Sequence, residues 1–149
     1  MKISTKGRYG LRAIIDLAIN SAGDHVALYS IAQRQGISEN YLEQMFSTLR
    51  KAGLVKSVKG AQGGYTLAAK PSEMTIGTVL RVLEGNLSII DEEAEVGDSD
   101  SLSLQRCLKE TLWDKINESI NVVVDSITIE DIVNEYNKRS GNLPLMFYI

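Results

Sequence analysis

The sequence predicts a mainly α-helical fold that contains one short β-hairpin. Two observations predict the helices: apolar residues recur at three- and four-residue spacing, and residues that favour helix N-termini precede those segments. A third predicts the hairpin, because two short β-prone runs flank residues 59–64, which hold three glycines in six positions. A length of 149 residues suits one compact domain or a small domain with an oligomerisation arm.

The first two helices are predicted from periodicity and from their end residues. Apolar side chains recur at helical spacing from residue 5 to about residue 21. Ser30 is predicted to open a second, short helix, with Gln33 as its capping-box partner three residues later. Gly36 is predicted to end that helix, since glycine tolerates the left-handed conformation at a helix C-terminus.

A third helix and the hairpin follow. Ser38 is a favourable N-cap residue, and Gly53 is predicted to end the helix. The hairpin is predicted to pair residues 54–58 with 65–67, and its glycine-rich turn is expected to need positive φ angles. The predicted apolar stripe of the helix consists of Leu42, Met45, Phe46 and Leu49.

The second half of the chain is predicted to contain three more helices. Thr75 is expected to cap a helix that runs to about Glu84, and Thr128 with Asp131 to open the last one. A long helix is predicted from about Ser103 to residue 124. The predicted organisation is a DNA-binding domain over 1–84, an acidic flexible loop over 85–102, and a dimerisation helix with the C-terminal region over 103–149.

Charge is distributed unevenly along the chain, although the total is only −3. Residues 1–70 carry ten Lys and Arg against four Asp and Glu, whereas residues 71–149 carry six against fifteen. A basic first half indicates binding to a polyanion, and the acidic second half indicates a different role. Chance distribution of solvated charges is the alternative.

The predicted order of a helix, a short helix, a turn, another helix and a two-stranded hairpin is typical of a winged helix-turn-helix. The helix-turn-helix would span about 28–51, with its turn at 36–38, and the wing about 55–67. The full prediction is therefore a mainly α fold with a small two-stranded β wing, in which a long dimerisation helix follows the winged helix-turn-helix. Such a fold places its second helix in the major groove of DNA.

The helix that begins after Ser38 is the predicted recognition helix. Asn40 and Gln44 carry amides that can read adenine edges, and Glu43 can accept a hydrogen bond from cytosine N4. The alternative is that these side chains are only the solvated face of a core helix. The predicted DNA-binding residues are Lys6, Arg8, Tyr9, Ser38, Glu39, Asn40, Tyr41, Glu43, Gln44, Arg50, Lys51, Lys59, Gln62, Gly63 and Gly64.

The long helix keeps one apolar face over roughly 30 Å. A self-complementary face of that length predicts a two-fold homodimer, which would present two reading heads to a palindromic site. An intramolecular core helix is the alternative. The predicted dimerisation residues are Leu104, Leu108, Leu112, Trp113, Ile116, Ile120 and Val123.

The sequence offers few groups for covalent or metal chemistry. Cys107 is the single cysteine, so it is either a small buried hydrophobic residue or, with Arg106 and Lys109 beside it, a possible redox thiol. His25 is the single histidine and is expected to be solvated. Neither a catalytic set nor a metal site is predicted. The lack of a long apolar run and of a secretory leader favours the cytoplasm, with no membrane partner.

Four stretches of the sequence resemble the Rrf-type family of bacterial winged-helix regulators. They are residues 4–9, 37–44, 49–55 and the glycine-rich wing at 60–65. The resemblance extends over nearly the whole chain. It implies a dimeric transcription factor with a long crossing helix.

Two subgroups of this family imply different signals. Members that hold an iron–sulfur cluster carry three cysteines and a histidine, whereas this chain has Cys107 alone and Glu110 at the position of the histidine, so no cofactor is expected. Residues 1–11, 81–85 and 146–149 are similar to those of the family's cysteine-metabolism repressors. That resemblance implies cysteine synthase as a partner, with the acidic half and the C-terminal tail as candidate contact surfaces.

The leading hypothesis is a dimeric repressor that binds a palindromic promoter site in double-stranded DNA and controls sulfur or cysteine genes. One alternative is an iron–sulfur or thiol redox-sensing regulator of the same family. A different class of protein, a winged-helix module that binds another protein, remains the second alternative. An enzyme is not predicted.

Overall fold

The computed structural model describes residues 2–90 and 99–141. The predicted acidic residues 91–98 and the apolar tail at 143–149 lie outside these ranges. Within them the elements are α1 (Thr5–Asn20), α2 (Leu28–Gln35), α3 (Glu39–Lys51), β1 (Val55–Val58), β2 (Gly64–Leu67), a 3-10 turn (Pro71–Glu73), α4 (Ile76–Glu84), α5 (Ser99–Leu108), a π-helical turn (Lys109–Trp113), α6 (Asp114–Ser126) and α7 (Ile129–Arg139).

Helix α1 forms the centre of the molecule. Its N-cap residue Ser4 accepts a hydrogen bond from the Gly7 amide at 3.2 Å, which satisfies one of the free donors of the first turn. Three apolar residues of one face, Ala13, Ile14 and Leu17, are fully buried. The predicted span of this helix is confirmed to within one residue.

Helix α2 begins at Leu28, and the predicted start at Ser30 is wrong. The chain enters the helix directly after Val26, which pairs with Tyr65 of β2 through two backbone hydrogen bonds of 2.9 Å. This long-range pairing places the first turn before Ser30, and the N-cap has no side-chain hydrogen bond. The Gln33 amide therefore donates to the Tyr29 hydroxyl at 2.6 Å and does not form a capping box.

Helix α3 follows the predicted turn. Gly36 adopts the left-handed conformation with φ of 64°, and the Ser38 hydroxyl accepts from the Tyr41 amide at 3.2 Å. The helix ends at Lys51, and Gly53, with φ of 80°, follows its last turn. The four residues of the predicted stripe are fully buried: Leu42, Met45, Phe46 and Leu49.

Strands β1 and β2 pair antiparallel, from Val55 opposite Leu67 to Val58 opposite Gly64. The expectation that the turn glycines need positive φ holds only for Gly60, whose φ is 117°. Gly63 is required for another reason, because a Cβ there would collide with the carbonyl oxygen of Val58.

The C-terminal segments pack back onto the N-terminal half. Thr75 caps α4 as predicted, and Thr128 forms the predicted capping box with Asp131 at the start of α7. The Ile129 amide donates to the Met74 carbonyl at 2.8 Å, and its side chain is fully buried. Residues of α7 therefore belong to the same hydrophobic core as those of α1 and α4.

The long helix differs from its prediction at both ends. Helical structure begins at Ser99, inside the predicted loop 85–102, and continues through the π-helical turn to Ser126. Residues 85–90 form no helix or strand, but they are anchored to the rest of the chain, because Leu87 is buried and the Ile89 amide donates to the Asn117 side chain at 2.9 Å.

Candidate nucleic-acid interface

An ion pair with a buried carboxylate joins α1 to α2, the first helix of the helix-turn-helix. The Asp16 carboxylate on α1 is 3% exposed. Arg34 of α2 donates bidentate hydrogen bonds to its two oxygen atoms, and the shortest N···O distance is 2.7 Å. Gln35 donates to the same carboxylate at 2.8 Å, and Asn20 at 3.3 Å. All of its accepting positions therefore face donors, which is the condition for burying a charge.

Asp16 and Arg34 are not among the functional residues predicted from the sequence. The hydrogen bonds that Arg34 donates to Asp16 raise the pKa of Arg34, and the attraction between the two charges acts in the same direction. A signal was present in the sequence, because Asp16 lies between apolar residues on the buried face of α1. A charged residue at such a position is rarely buried without a partner.

The exposed face of α3 carries the predicted base-reading side chains. Asn40, Glu43 and Gln44 are all exposed, and they lie opposite the buried stripe. Tyr41 is half-buried and packs edge-on against Tyr9 of α1, with the ring centroids 6.3 Å apart. The face of α3 is therefore free to meet another molecule, whereas Tyr41 also supports the packing of α1.

The exposed ends of α1 and α3 carry the predicted phosphate contacts. Arg8 on α1 and Arg50 and Lys51 at the C-terminal end of α3 are exposed, and Lys6 is half-buried. The backbone amide of Ser4 donates to the Glu84 side chain at 2.9 Å, which ties the N-terminus of α1 to α4. Helix α4 thereby fixes the position of the cationic residues at the start of α1.

The wing turn, residues 59–63, carries the remaining predicted contacts. Lys59 and Gln62 are exposed, and Gly63 and Gly64 are half-buried. The expectation that His25 is simply solvated is wrong, because its ring contacts the backbone carbonyl of Gln62. The wing packs closely enough for this contact only because Gly64 lacks a side chain, since a Cβ there would collide with Val26.

The predicted dimerisation residues are not equally exposed. Leu104 is 64% exposed and Val123 is 55% exposed, and Leu108 and Leu112 are also exposed. Ile120 packs partly against the core of its own chain. The remaining two predicted residues, Trp113 and Ile116, are half-buried. One chain therefore leaves a row of apolar side chains uncovered along α5 and α6.

The thiol of Cys107 is exposed at the end of α5, with its Sγ 4.0 Å from the Thr111 hydroxyl. Among residues 2–90 and 99–141, no three His, Cys, Asp or Glu side chains are grouped so that they could hold a metal ion. One thiolate does not supply the ligands that an iron–sulfur cluster needs. The donor set of this chain therefore does not fit such a cluster.

The amino-acid sequence matches a known family model. The model described as Rrf2, iron-dependent transcriptional regulator, matches residues 3–135. The chain belongs to the Rrf2 family. It is therefore a transcriptional regulator with a DNA-binding helix-turn-helix and not an enzyme, and the family assignment made from sequence is confirmed.

Individual relatives in the Rrf2 family support this assignment. The chain is 45% identical over 149 residues to the HTH-type transcriptional regulator CymR of Bacillus subtilis, with 100% of both chains covered. It is 41% identical over 135 residues to the regulator IscR of Vibrio atlanticus, which covers 91% of this chain and 76% of that protein.

A solved structure shows the same fold. The structure of CymR, described as the global cysteine regulator of B. subtilis, superposes with a TM-score of 0.75 at 44% identity. The match covers 91% of this chain and 98% of that one. The winged helix-turn-helix of this Rrf2 protein is thus confirmed. In the described part of the chain, none of the helices has the length and apolar character of a membrane span.

Proposed function

We propose that this Rrf2 protein is a dimeric repressor that binds a palindromic promoter site and controls genes of sulfur and cysteine metabolism. The observation that carries the proposal is the full-length similarity to B. subtilis CymR, whose structure is described as that of a global cysteine regulator. The similarity extends to both ends of the chain. It therefore includes the elements outside the DNA-binding half, which would receive the signal.

In this proposal α3 enters the major groove. Its exposed amides, Asn40 and Gln44, would contact adenine edges, and Glu43 would accept from cytosine N4. The first turn of α3 supplies free backbone amides beside Ser38 that suit a phosphate. Glu39 in the same turn is acidic and exposed, so its side chain would turn away from the phosphate that these amides bind.

Cationic residues on three elements would position the protein on the duplex without reading sequence. Lys6 and Arg8 on α1, Arg50 and Lys51 on α3, and Lys59 in the wing turn lie in the basic first half of the chain. Tyr9 and Tyr41 would add hydroxyl contacts beside them. The wing would follow the minor groove, where a cation on a thin hairpin is favoured by the local potential.

Dimerisation would place two copies of α3 on one face of the DNA. The uncovered apolar side chains of α5 and α6 are the proposed contact between copies. Two-fold pairing of this face would produce half-sites separated by about one helical turn of DNA. Cysteine synthase is the proposed protein partner, with the acidic half and the C-terminal tail as its candidate contact surfaces.

The deciding experiment is to sequence the genomic fragments that the purified full-length chain retains. We expect enrichment of one palindromic motif upstream of sulfur and cysteine genes. Retention of fragments without any shared motif would overturn the proposal, and a motif upstream of unrelated genes would overturn its assignment to cysteine metabolism.

Gln44→Ala is expected to lose the preference for this motif while it still binds bulk DNA, because an amide that reads a base contributes to discrimination between sequences.

A matched variant separates sequence reading from phosphate binding. Lys51→Ala is expected to weaken binding to every fragment alike and to make the dependence of affinity on salt less steep by about one ion. If Lys51→Ala and Gln44→Ala have the same effect, α3 is not the reading element. Unchanged binding by both variants would favour the alternative in which the winged helix binds a protein.

A further inference from the structure

A pocket of about 580 Å³ lies where α1 meets the C-terminal end of α2 and the middle of α7. Its volume lies within the range of about 300–1,000 Å³ that is usual for small-molecule sites. Five residues of α1, two of α2 and two of α7 line it, and it is called the α7 pocket below. None of these residues is among the proposed DNA contacts.

One part of the pocket wall is apolar. Ile15 and Ile19 lie one turn apart on α1, and Ile132 and Tyr136 lie one turn apart on α7. The three isoleucines are half-buried, and Tyr136 is 51% exposed. Each pair spans about 6 Å at 1.5 Å per residue, so an apolar body of about five carbon atoms would lie along the two rows.

The polar part of the wall carries an excess of positive charge. It contains the guanidinium groups of Arg12 and Arg34 and the carboxylate of Asp16. The Asp16 carboxylate already accepts from Arg34, Gln35 and Asn20, so it has no accepting position left for a ligand. No carboxylate among residues 2–90 and 99–141 forms an ion pair with Arg12.

The Arg12 side chain is held in place and still has donors to offer. Its Nε and Nη2 atoms donate to the side chain and the backbone carbonyl of Gln35, at 3.3 and 2.5 Å. The ring of Tyr9 adds a contact, with its centroid 5.2 Å from the Arg12 Cζ atom. A guanidinium has five N–H groups, so three remain, including both on Nη1. They suit a carboxylate, whose hydrogen bonds to a guanidinium are strengthened by charge.

We propose that the α7 pocket binds a small carboxylic acid with an apolar body, and that this ligand raises the affinity of the protein for DNA. The carboxylate would lie on the free donors of Arg12, and the carbon chain would lie between the apolar rows of α1 and α7. A cation beside an apolar wall selects this class of ligand, because an uncharged apolar molecule leaves the cation without a partner and a small inorganic anion leaves the wall in water.

The effect on DNA binding follows from the position of Gln35. It is the last residue of α2, and the Gly36 turn after it leads to α3, the proposed recognition helix. A ligand that joins Arg12 to α7 would restrict the guanidinium that holds Gln35, and would thereby order the turn before α3. Ordering this turn before DNA is bound lowers the entropy lost on binding. This second part of the inference rests on the proposed function.

The first test uses the full chain without DNA, so it does not depend on the proposed function. Hexanoate is the probe, and hexanamide, which has the same carbon chain without the charge, is its control. In a titration followed by nuclear magnetic resonance of isoleucine methyl groups, the signals of Ile19 and Ile132 are expected to shift and to saturate with hexanoate. Hexanamide should bind about tenfold more weakly, because it lacks the charge-assisted hydrogen bonds. Signals that do not saturate, or equal affinities for the two compounds, would overturn the proposal.

Three variants assign the site. Arg12→Gln is expected to lower the affinity for hexanoate about tenfold and to leave that for hexanamide unchanged, whereas a general loss of structure would weaken both. Ile19→Trp fills the apolar part and should weaken both compounds. Arg139→Gln is the matched control, because Arg139 is an exposed cation of α7 that does not line the pocket, and it should bind both as the wild-type chain does.

The second test measures DNA affinity by fluorescence anisotropy on a duplex recovered from the genomic selection. Saturating sodium hexanoate is expected to raise the affinity about fivefold or more relative to sodium acetate at the same concentration. The acetate reference matters because added salt by itself lowers affinity for DNA. Arg12→Gln should lose this response at the same hexanoate concentration, and Arg139→Gln should keep it.

The outcomes separate the site, its coupling to DNA and the proposed function. Hexanoate that saturates the pocket without raising DNA affinity overturns the coupling and leaves the binding site. A change of molecular mass for Tyr136→Glu in sedimentation equilibrium would show that a second copy of the chain fills the pocket, which also overturns the proposal. A chain that prefers no duplex overturns the proposed function, and the methyl titration then still decides whether the pocket binds the acid.

Discussion

At the residue scale, the interface depends on side chains that would not touch DNA. Asp16 of α1 is buried with all its accepting positions filled, and Arg34 reaches it from α2, the first helix of the helix-turn-helix. The polar side chains that would read bases can be changed without leaving a charge unpaired. Removal of Arg34 would leave the buried Asp16 carboxylate without the opposite charge that offsets the cost of removing it from water.

Arg34→Ala is therefore expected to lower the free energy of unfolding by about 1.5–3 kcal/mol, the range for a charge-assisted hydrogen bond. The lower part of that range applies because the Arg34 side chain is 39% exposed. Urea denaturation measures the change, and an unaltered m-value would show that the unfolded state is unaffected. Arg139→Ala is the control: it removes an exposed pair with Glu135 on α7 and should change stability little. Equal effects of both variants would contradict this account.

Asp125 provides a pH-dependent contact between α4 and α6. Arg81 donates to both of its carboxylate oxygens at 2.7 and 2.8 Å, and these hydrogen bonds lower the pKa of Asp125. A carboxyl whose pKa is lower in the folded state stabilises the fold above its ordinary pKa. That contribution is lost as pH falls through the lowered value.

Asp125→Asn should therefore lower the midpoint of thermal unfolding at pH 7. The difference from the wild-type chain should shrink as pH falls below about 4, where the unfolded carboxyl becomes protonated. Thermal unfolding followed by circular dichroism from pH 7 to pH 3 measures it. Glu118→Gln, an exposed residue on the same helix, serves as the control and should change little at either pH. A constant difference across the whole range would refute the assignment.

At the element scale, glycines decide how closely the helices approach one another. A Cβ at Gly10 of α1 would collide with Leu83 of α4, and one at Gly77 of α4 would collide with Asp125 of α6. Both glycines lie inside helices, where alanine has the higher intrinsic propensity by about 1 kcal/mol. Their positions are explained by packing and not by backbone conformation, since neither has a positive φ.

Gly77→Ala is expected to destabilise the protein by about 1–3 kcal/mol, as is usual when extra atoms are forced into a packed contact. An exposed helix position would show the opposite sign. Chemical denaturation measures the change. The same substitution in an Asp125→Ala background should cost less, because the colliding carboxylate is gone, and the cycle isolates that contact. A stabilising Gly77→Ala would show that α6 does not pack against α4 as described.

The long helix shows a local irregularity that is matched by its side chains. Between α5 and α6 the backbone forms a π-helical turn, Lys109–Trp113. The Lys109 ammonium lies 3.0 Å from the Asp114 carboxylate, five residues along the chain. A π turn brings residues at that spacing onto one side, whereas a regular α-helix aligns residues three and four apart.

At the scale of the whole molecule, the exposed apolar side chains of α5 and α6 predict that two copies of the chain pair through this face. Leu112→Glu places a charge on the uncovered apolar face of the long helix and is expected to shift the protein from dimer to monomer. Sedimentation equilibrium measures the mass. Val122→Glu is the matched control, because Val122 is 60% exposed but lies beside the polar residues Asn121 and Asp125. A dimer that survives Leu112→Glu but not Val122→Glu would place the interface on the other face.

Much of the fold could be predicted because the signals are local. Ser38, Thr75 and Thr128 each cap a helix within three residues of their own position, and such caps can be recognised from the sequence. The buried stripe of α3 was also predictable, since helical periodicity identifies the face that packs inward. The family follows from stretches of residues that the sequence displays directly.

What the tertiary structure alone decided involves residues far apart in the chain. The start of α2 at Leu28 depends on the pairing of Val26 with Tyr65, and the pairing of Asp16 with Arg34 depends on the packing of α1 against α2. The contact of the His25 ring with the Gln62 carbonyl joins residues thirty-seven positions apart, and it depends on the packing of the wing against the loop after α1. Periodicity and capping report interactions within about one helical turn, whereas these contacts exist only after the elements have packed. The sequence by itself therefore determined the order of elements and the family, and the packing determined which polar residues hold the DNA-binding elements in place.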